Sequence, residues 1–207
     1  MERDMGAVAI ILAGGRSARM GRDKAALPIG DTTLLAHVVT QLQRAFATII
    51  VVAGGAADQP SVIDAAARGV VLVRDEVAYQ GPVHALRAGL GAAAGDPVFV
   101  ASCDLPSVRA EVALKLCAML ENHDAVIPRV GGRLQMLHAV YRRERCLGAL
   151  DAMVARDERR LHRIVDHIRA RIVEEAEMRL IDPHLESFFN VNTPDDYRAM
   201  LNAIARG

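Results

Sequence analysis

The sequence has few aromatic residues and no excess of charge of either sign. Only 3% of its 207 residues are Phe, Tyr or Trp, and it contains no Trp, so there are few rings on which the bases of a nucleic acid strand could stack. Lys plus Arg and Asp plus Glu both number 25. This balance gives no sign of a nucleic-acid footprint or of an acidic membrane partner, so any attraction for an anion has to be local.

Cysteine pairs and long apolar runs are also missing. The three cysteines make no C-x-x-C pair and the seven histidines make no H-E-x-x-H pair, so neither a disulfide framework nor a zinc site is indicated. No apolar run approaches the roughly 18 residues that a membrane-spanning helix needs. The opening segment M-E-R-D-M-G lacks the apolar core of a signal peptide. We expect one domain over residues 1–207, located in the cytoplasm, without a membrane or nucleic acid partner.

The most informative stretch is residues 8–28, where a predicted buried strand leads into a glycine-rich basic loop. Gly14 and Gly15 end the apolar run, and four cations follow before Pro28: Arg16, Arg19, Arg22 and Lys24. Glycines let the backbone approach a ligand, and cations complement phosphate, so the pattern predicts a nucleoside triphosphate site. The loop is neither a Walker A motif nor G-x-G-x-x-G, which argues against a GTPase and a dinucleotide-dependent dehydrogenase.

Helical patterns alternate with strand patterns in the first half of the chain. Apolar residues at three- and four-residue spacing predict a helix over 31–46, with Asp31 or Thr32 as its cap. Pro82 suits the first position of a second helix, which Gly89, Gly91 and Gly95 make weak or close-packed. A third helix is expected from residue 107, and apolar runs predict strands at 8–12, 48–52, 69–73 and 97–102.

This alternation predicts a three-layer, doubly wound α/β fold, with a mostly parallel sheet between two layers of helices. In such sheets, ligands bind outside the carboxyl ends of the strands. The glycine-rich loop, Asp75 and Asp104 all follow predicted strands, so we expect them to meet at one edge of the sheet.

The second half of the chain is less regular. Strands are predicted at 125–127 and 134–141 around a Gly131-Gly132 turn, then arginine-rich helical sequence over 142–171 and a strand over 172–175. The arginines are mainly a solvated face, with the alternative that some bind an anionic second substrate. Thr193 and Pro194 predict the cap and first position of a final helix.

No side chain in the sequence has the setting of an activated nucleophile. Ser102 and Ser107 have no evident His partner, and the negative charge of Asp104 disfavours a thiolate at Cys103. A reaction that needs only positioning and charge neutralisation fits best, which favours phosphoryl or nucleotidyl transfer. Asp104 is the carboxylate expected to hold Mg²⁺ against the phosphates.

Four motifs in this order resemble the molybdenum cofactor guanylyltransferases. They are L-A-G-G-R-S-A-R-M-G-R-D-K at 12–24, G-P at 81–82, C-D-L-P at 103–106 and F-N-V-N-T-P-D-D at 189–196. The resemblance implies a single domain with the nucleotide-diphospho-sugar transferase-like fold, with a nucleotide-binding half over about 1–122 and an acceptor-binding half over about 123–207. It implies transfer of GMP from GTP to the terminal phosphate of molybdopterin, with Mg²⁺ and release of pyrophosphate. It also implies transient contact with cofactor insertion proteins or with the apoenzymes that receive the cofactor.

The resemblance assigns the nucleotide side of the site to the first half of the chain. Leu12, Ala13, Gly14 and Gly15 would surround the guanine nucleotide with backbone, and Asp75 would help to hold the nucleoside. The Gly14-Gly15 pair of this motif resembles the guanylyl branch, whereas related cytidylyltransferases tend to have L-A-A-G. This pair is the main reason for expecting GTP.

The same resemblance assigns further residues to the phosphates, the metal and the acceptor. Arg19 and Lys24 would grip the phosphates and act in catalysis, and Asp104 would bind nucleotide and Mg²⁺ as well as acting in catalysis. Asn190 and Asn192 match the N-V-N of the family, which lies near the metal and the acceptor, and the sequence leaves open which of the two acts.

Other functions remain open at the level of the sequence. The nearest alternative is a nucleotidyltransferase with another nucleotide or acceptor, such as a cytidylyl donor or a sugar 1-phosphate. Alternatives of another class are a non-catalytic GTP-binding regulator and a domain that docks a partner through the arginine-rich stretch 142–163.

Overall fold

A mostly parallel β-sheet forms the centre of the molecule. The computed structural model describes residues 6–13, 23–54, 60–66, 68–74 and 81–204. The strands are β1 (Val8–Leu12), β2 (Pro28–Ile29), β3 (Thr32–Thr33), β4 (Thr48–Ala53), β5 (Val71–Arg74), β6 (Val98–Ser102), β7 (Ala125–Val130), β8 (Arg133–Leu134), β9 (His138–Tyr141) and β10 (Ala170–Val173).

Helices follow most of these strands. The α-helices are α1 (Leu34–Leu42), α2 (Pro60–Ala66), α3 (Pro82–Ala92), α4 (Ala110–Ala118), α5 (Arg143–Ala155), α6 (Glu175–Met178) and α7 (Pro194–Ile204). Short 3₁₀ helices cover Lys24–Ala26, Leu161–Asp166 and Glu186–Phe188. Within the described residues, none of the helices is long and apolar enough to cross a membrane.

The strand order of the main sheet is β10-β7-β9-β6-β1-β4-β5, with β8 paired to β7. Strand β1 pairs in parallel with β4 on one side and with β6 on the other. Strand β9 is antiparallel to both β6 and β7. The mostly parallel α/β sheet predicted from the sequence is therefore confirmed, and β2 and β3 form a separate small hairpin.

Alternate residues of the central strands face two separate cores. In β1, Ile11 packs with α1 and α4 on one face, whereas its neighbour Ile10 packs with α3 and α5 on the other. Both side chains are fully buried. This two-residue period, with helices on both faces, produces the three layers that were predicted.

Helix α3 lies close to the sheet at Gly89, which agrees with the close-packed one of the two alternatives. A Cβ atom at Gly89 would lie 2.9 Å from Ile10 Cγ2 and 3.1 Å from Val52 Cγ2. Pro82 is the first residue of this helix, also as predicted, and it follows Gly81, whose φ of 96° suits glycine.

The predicted start of α1 was wrong. Thr33 is the N-cap, and its hydroxyl accepts a hydrogen bond from the Ala36 N–H at 3.2 Å. Neither Asp31 nor Thr32 is the cap, because Thr32 pairs with Ile29 in the β2–β3 hairpin. The hairpin therefore delays the start of the helix.

The second half differs more from the predictions. The strand expected over 134–141 is broken between β8 and β9, and the helix expected over 142–171 ends at Ala155. Asp157, with a φ of 54°, takes the left-handed conformation that commonly ends a helix. Strand β10 begins at Ala170, two residues before the predicted strand, because Ala170 pairs with Ala125 of β7.

Candidate active site

The carboxyl ends of β1, β4 and β6 form one edge on which the candidate site is built. The Ala13 N–H donates to the Val52 carbonyl at 2.8 Å, and the Cys103 N–H donates to the Leu12 carbonyl at 3.1 Å. These bonds continue the sheet just beyond β1. Leu12 and Ala13 therefore offer backbone at this edge, beside the turn that carries Asp104.

Lys24, Asp104 and Asn192 come together at this edge from three distant parts of the chain. The Lys24 ammonium donates to the Asn192 Oδ1 atom at 2.8 Å and lies 3.5 Å from the Asp104 Oδ2 atom. The Lys24 and Asp104 side chains are only 18% and 19% exposed. Because little water reaches the pair, the attraction between the two charges is strengthened. The exposed fraction that remains leaves both groups accessible to a ligand.

The turn that carries Lys24 is fixed by its own sequence. Asp23 caps the 3₁₀ helix over Lys24–Ala26, where its Oδ1 atom accepts a hydrogen bond from the Ala25 N–H at 3.0 Å. Ala25 and Leu27 are buried. The lysine therefore projects from a short, anchored turn.

The segment around Asn190 and Asn192 is bonded directly to the Asp104 backbone. The N–H of Val191, between the two asparagines, donates to the Asp104 carbonyl at 2.9 Å. The Val191 side chain is buried with Leu27 and Leu34 in a small separate core. This anchor brings both asparagines to the carboxyl edge of β6.

The two asparagines make different contacts. Asn192 accepts from Lys24, whereas the Asn190 side-chain amide donates to the Phe188 carbonyl at 3.0 Å. Asn190 also lines a pocket of about 270 Å³ together with Asp104. Asn192 thus belongs to the lysine–carboxylate cluster, and Asn190 belongs to the wall of the neighbouring pocket.

Apart from Asp104 and Asn190, none of the residues that line this pocket was predicted as a site residue. Its other lining residues are Ser102, Leu105, Leu134, Gln135, Met136, Leu137 and His138. The break between β8 and β9 exposes this wall, which a continuous strand over 134–141 would not provide. A signal was available, since Gln135 is a polar residue within an otherwise apolar run, and its side-chain amide donates to the Val130 carbonyl at 3.3 Å.

The Asp104 carboxylate has an oxygen that suits a hard divalent cation. Its Oδ1 atom is buried and has no hydrogen-bond partner among the described residues, and a buried polar atom without a partner is costly. Over the same residues, no group of three or more His, Cys, Asp and Glu side chains could hold a metal. A cation that takes one carboxylate, with phosphate and water as its other ligands, fits this arrangement.

His138 and Phe188 form an aromatic support behind the pocket. Their rings stack with centroids 4.3 Å apart, and the buried His138 ring also makes a T-shaped contact with Phe99, with centroids 5.3 Å apart. Burial lowers the pKa of His138 to about 4, against weaker opposing effects of the Ser187 backbone and Asp182. The neutral imidazole therefore serves as a packing surface for the segment that carries Asn190.

Cys103 is not an activated nucleophile, as predicted. Burial raises the pKa of its thiol well above the ordinary range, and the negative charge of Asp104 raises it further. The three cysteines all lie within the described residues, where they are buried and form no disulfide.

Several predicted site residues lie outside the described residues: Gly14, Gly15, Arg19 and Asp75. Their assigned roles stay predictions. Lys24, Asp104, Asn190 and Asn192 do lie together, and Leu12 and Ala13 lie on the same edge.

Residues 9–173 match the family model described as the MobA-like NTP transferase domain. The chain belongs to this family. A probable molybdenum cofactor guanylyltransferase of Pelotomaculum thermopropionicum is 33% identical over 190 residues, which cover 92% of this chain and 89% of the relative. The MobA-like family predicted from the motifs is therefore confirmed.

Solved structures share the fold. The molybdopterin-guanine dinucleotide biosynthesis protein A of Archaeoglobus fulgidus aligns with a TM-score of 0.80 at 22% identity, covering 97% of this chain and all of that one (100%). A Mycobacterium tuberculosis protein solved as a complex with manganese aligns with a TM-score of 0.65 at 22% identity, covering 95% and 98%. The nucleotidyltransferase fold of this MobA-like chain is thus confirmed.

Proposed function

We propose that this protein transfers GMP from GTP to the terminal phosphate of molybdopterin and releases pyrophosphate. The observation that carries the proposal is the meeting of Lys24, Asp104 and Asn192 at the strand edge of a MobA-like NTP transferase fold. A cation and a carboxylate with one oxygen that has no hydrogen-bond partner within the described ranges suit the binding of a triphosphate. The name of the Pelotomaculum relative supports guanylyl transfer as the specific reaction.

The reaction requires no protein nucleophile. An oxygen of the acceptor phosphate attacks the α-phosphorus of GTP and forms a new P–O bond. The bond from the α-phosphorus to the bridging oxygen breaks, and pyrophosphate leaves with the electron pair. Lys24, together with Arg19, neutralises the charge that moves onto pyrophosphate, and the protein contributes chiefly by holding the reactants in line.

Asp104 is the proposed ligand of Mg²⁺, through the carboxylate oxygen that has no partner among the described residues. When bound, the cation supplies positive charge at the phosphate oxygens. The manganese complex of the Mycobacterium tuberculosis protein supports the use of a divalent cation. Backbone of Leu12, Ala13, Gly14 and Gly15, with Asp75, is proposed to hold the guanine nucleoside.

The acceptor is proposed to enter from the side of Asn190. Apolar walls and polar side chains in the adjoining pocket suit a planar heterocycle with hydrogen-bonding edges. Helix α5 runs antiparallel to α3, since Arg143 bonds to the Leu90 carbonyl and Arg87 bonds to Asp151. The exposed arginines that follow α5, over 156–160, therefore lie on the same edge as the pocket, where they can attract the acceptor phosphate.

The remaining partner assignments belong to the same proposal. GTP and molybdopterin are the substrates, and transient contacts with insertion proteins or recipient apoenzymes would pass the product on. We place the reaction in the cytoplasm, without a membrane or nucleic acid partner, and within one domain of two halves.

Labelled GTP incubated with molybdopterin, with and without Mg²⁺, tests the proposal. We expect a labelled dinucleotide and pyrophosphate only when both substrates and the cation are present. Parallel reactions with CTP, UTP and sugar 1-phosphates identify the nucleotide and the acceptor. Faster transfer from CTP, or tight GTP binding without any product, would overturn the proposal.

A further inference from the structure

Helix α7 begins with a reciprocal cap that reaches back to the active-site segment. The Thr193 hydroxyl accepts a hydrogen bond from the Asp196 N–H at 3.1 Å, and Asp196 Oδ2 accepts from the Thr193 N–H at 2.8 Å. The predicted cap at Thr193 is therefore confirmed. The same Asp196 oxygen also accepts from the Asn192 N–H at 2.9 Å, a bond that goes beyond the reciprocal pair of a capping box.

Asn192 is consequently held at two points. Asp196 fixes its backbone N–H, and its side-chain oxygen accepts the Lys24 ammonium. The hydrogen bond from the Asn192 N–H is the largest cause of a lowered pKa at Asp196, and the nearby Lys24 charge contributes in the same direction. Asn192 thus links the Asp196 carboxylate to the lysine–carboxylate cluster.

We propose that Asp196 is a positioning residue, which holds the Asn192 backbone so that its side chain keeps Lys24 beside Asp104. Only the turnover test of this inference rests on the proposed function. The hydrogen bond that joins Asp196 to this cluster runs from the Asn192 N–H, and the charges of Asp196 and Lys24 also interact through space. The positioning effect passes through Asn192, and the through-space effect is the one that a neighbouring carboxylate can control for.

The chain contains a matched control in the same helical turn. Asp195 is also a carboxylate at the start of α7, but it is exposed and its side chain pairs with Arg198. Both carboxylates interact favourably with the positive end of the helix. A comparison of Asp195→Ala with Asp196→Ala therefore separates the contact to Asn192 from a general effect on the helix.

A double-mutant cycle tests whether Asp196 acts through Asn192. We expect Asp196→Ala to lower kcat about 10-fold or more, the usual scale for groups that orient functional side chains, with Asp195→Ala within about twofold of wild type. In an Asn192→Ala background, Asp196→Ala should have little further effect. Equal losses for the two aspartate variants, or full additivity with Asn192→Ala, would overturn the inference.

Rescue by a similar side chain separates positioning from folding. Asp196→Asn keeps an oxygen that can accept both N–H groups, so it should recover most of the turnover. Thermal melts show whether each variant is folded. Asp196→Ser, whose shorter side chain cannot accept both bonds, gives the same comparison if the alanine variant does not fold. An asparagine variant as slow as the alanine variant would contradict the inference.

Lysine labelling provides a readout that is independent of activity. The sequence contains only two lysines, Lys24 and Lys115, and Lys115 is exposed on α4. We expect Asp196→Ala to speed acylation of Lys24 relative to Lys115 by about threefold, within the range of coupling between contacting residues, and Asp195→Ala to leave the ratio unchanged. An unchanged ratio in Asp196→Ala would refute the positioning role, even if the protein transferred a different nucleotide.

Discussion

The Lys24 ammonium donates a hydrogen bond to the Asn192 side chain at 2.8 Å, although the two residues are 168 positions apart in the sequence. Asp104 lies beside the same ammonium at 3.5 Å. An amide oxygen and a carboxylate thus orient one cation through contacts made by the protein itself. Such preorganisation is useful for a reaction that depends on positioning and charge, because less of the site has to reorganise as the reaction proceeds.

Replacement of Asp104 by asparagine should abolish most of the turnover without unfolding the protein. Asp104→Asn keeps the size of the side chain but removes the charge proposed to hold Mg²⁺. We expect kcat to fall on the order of 10²-fold or more, measured as pyrophosphate release at saturating GTP and Mg²⁺. Wild-type turnover in a variant with a normal thermal melt would exclude the proposed role.

Removal of the Lys24 ammonium should have an effect of similar size. Lys24→Ala removes the described cation that meets both Asp104 and Asn192, so we expect turnover to fall on the order of 10²-fold. Lys115→Ala, which removes the other lysine of the chain, is the matched control and should match wild type. Pyrophosphate release measures the turnover of both variants. Equal rates for Lys24→Ala and Lys115→Ala would contradict the prediction.

The two asparagines should have separable kinetic roles. Asn190 lines the pocket proposed for the acceptor, whereas Asn192 contacts Lys24. We expect Asn190→Ala chiefly to raise KM for molybdopterin, and Asn192→Ala chiefly to lower kcat, because it disturbs the cation at the phosphates. Steady-state kinetics with each substrate varied in turn test the division. The opposite pattern would reverse the two assignments.

Two glycines of helix α3 should respond oppositely to alanine. A Cβ at Gly89 would press on buried atoms of Ile10 and Val52, whereas a Cβ at Gly91 would meet nothing within 4 Å. We expect Gly89→Ala to destabilise the protein by about 1–3 kcal/mol through overpacking. Gly91→Ala should stabilise it by up to about 1 kcal/mol through helix propensity. Urea unfolding of both variants measures the difference in the free energy of unfolding. A Gly89→Ala variant more stable than the wild type would show that Ile10 and Val52 can move away from the new Cβ atom.

The buried imidazole of His138 should make the protein less stable in mild acid. Burial lowers its pKa in the folded state to about 4, below the ordinary 6.5 or so of an unfolded chain. Between these values the unfolded state binds more protons, so stability is lost as the pH falls from about 6.5 to about 4, by up to about 1.4 kcal/mol per pH unit.

His138→Phe keeps a ring against Phe188 and removes the titrating group. Its free energy of unfolding should therefore depend less on pH over the same window than that of the wild type. Urea unfolding at a series of pH values checks this expectation. If the free energy of unfolding changed with pH to the same extent in the two proteins, His138 would not be the cause of the loss of stability in acid.

The sheet and half of the site could be predicted because their signals are local. Each central strand is a short apolar run that ends in glycine or a polar residue, and parallel strands place those ends at one edge. The pattern therefore predicts that the glycine-rich loop and Asp104 lie at one edge, and the end of β1 at Leu12 does lie beside the turn that carries Asp104. The third strand was also predicted, although it runs over Val71–Arg74 rather than 69–73.

The rest depends on contacts between distant segments. Nothing near Asn192 in the sequence indicates that its side chain meets Lys24, because the meeting requires the Val191 N–H to bond to the Asp104 carbonyl. Helix α6 has only four residues and is too short for a periodic pattern. The cap of α1 was misplaced because the β2–β3 pairing takes Thr32 into a hairpin.

The bond between Val191 and the Asp104 carbonyl also has a consequence for the order of events during protein synthesis. A ribosome makes Lys24 and Asp104 before the segment around Val191, so these two side chains exist for a time without Asn192. The three groups can meet only after the segment over 188–196 has emerged and docked. The nascent chain therefore carries an incomplete site until this segment has docked, whatever nucleotide is already present around it.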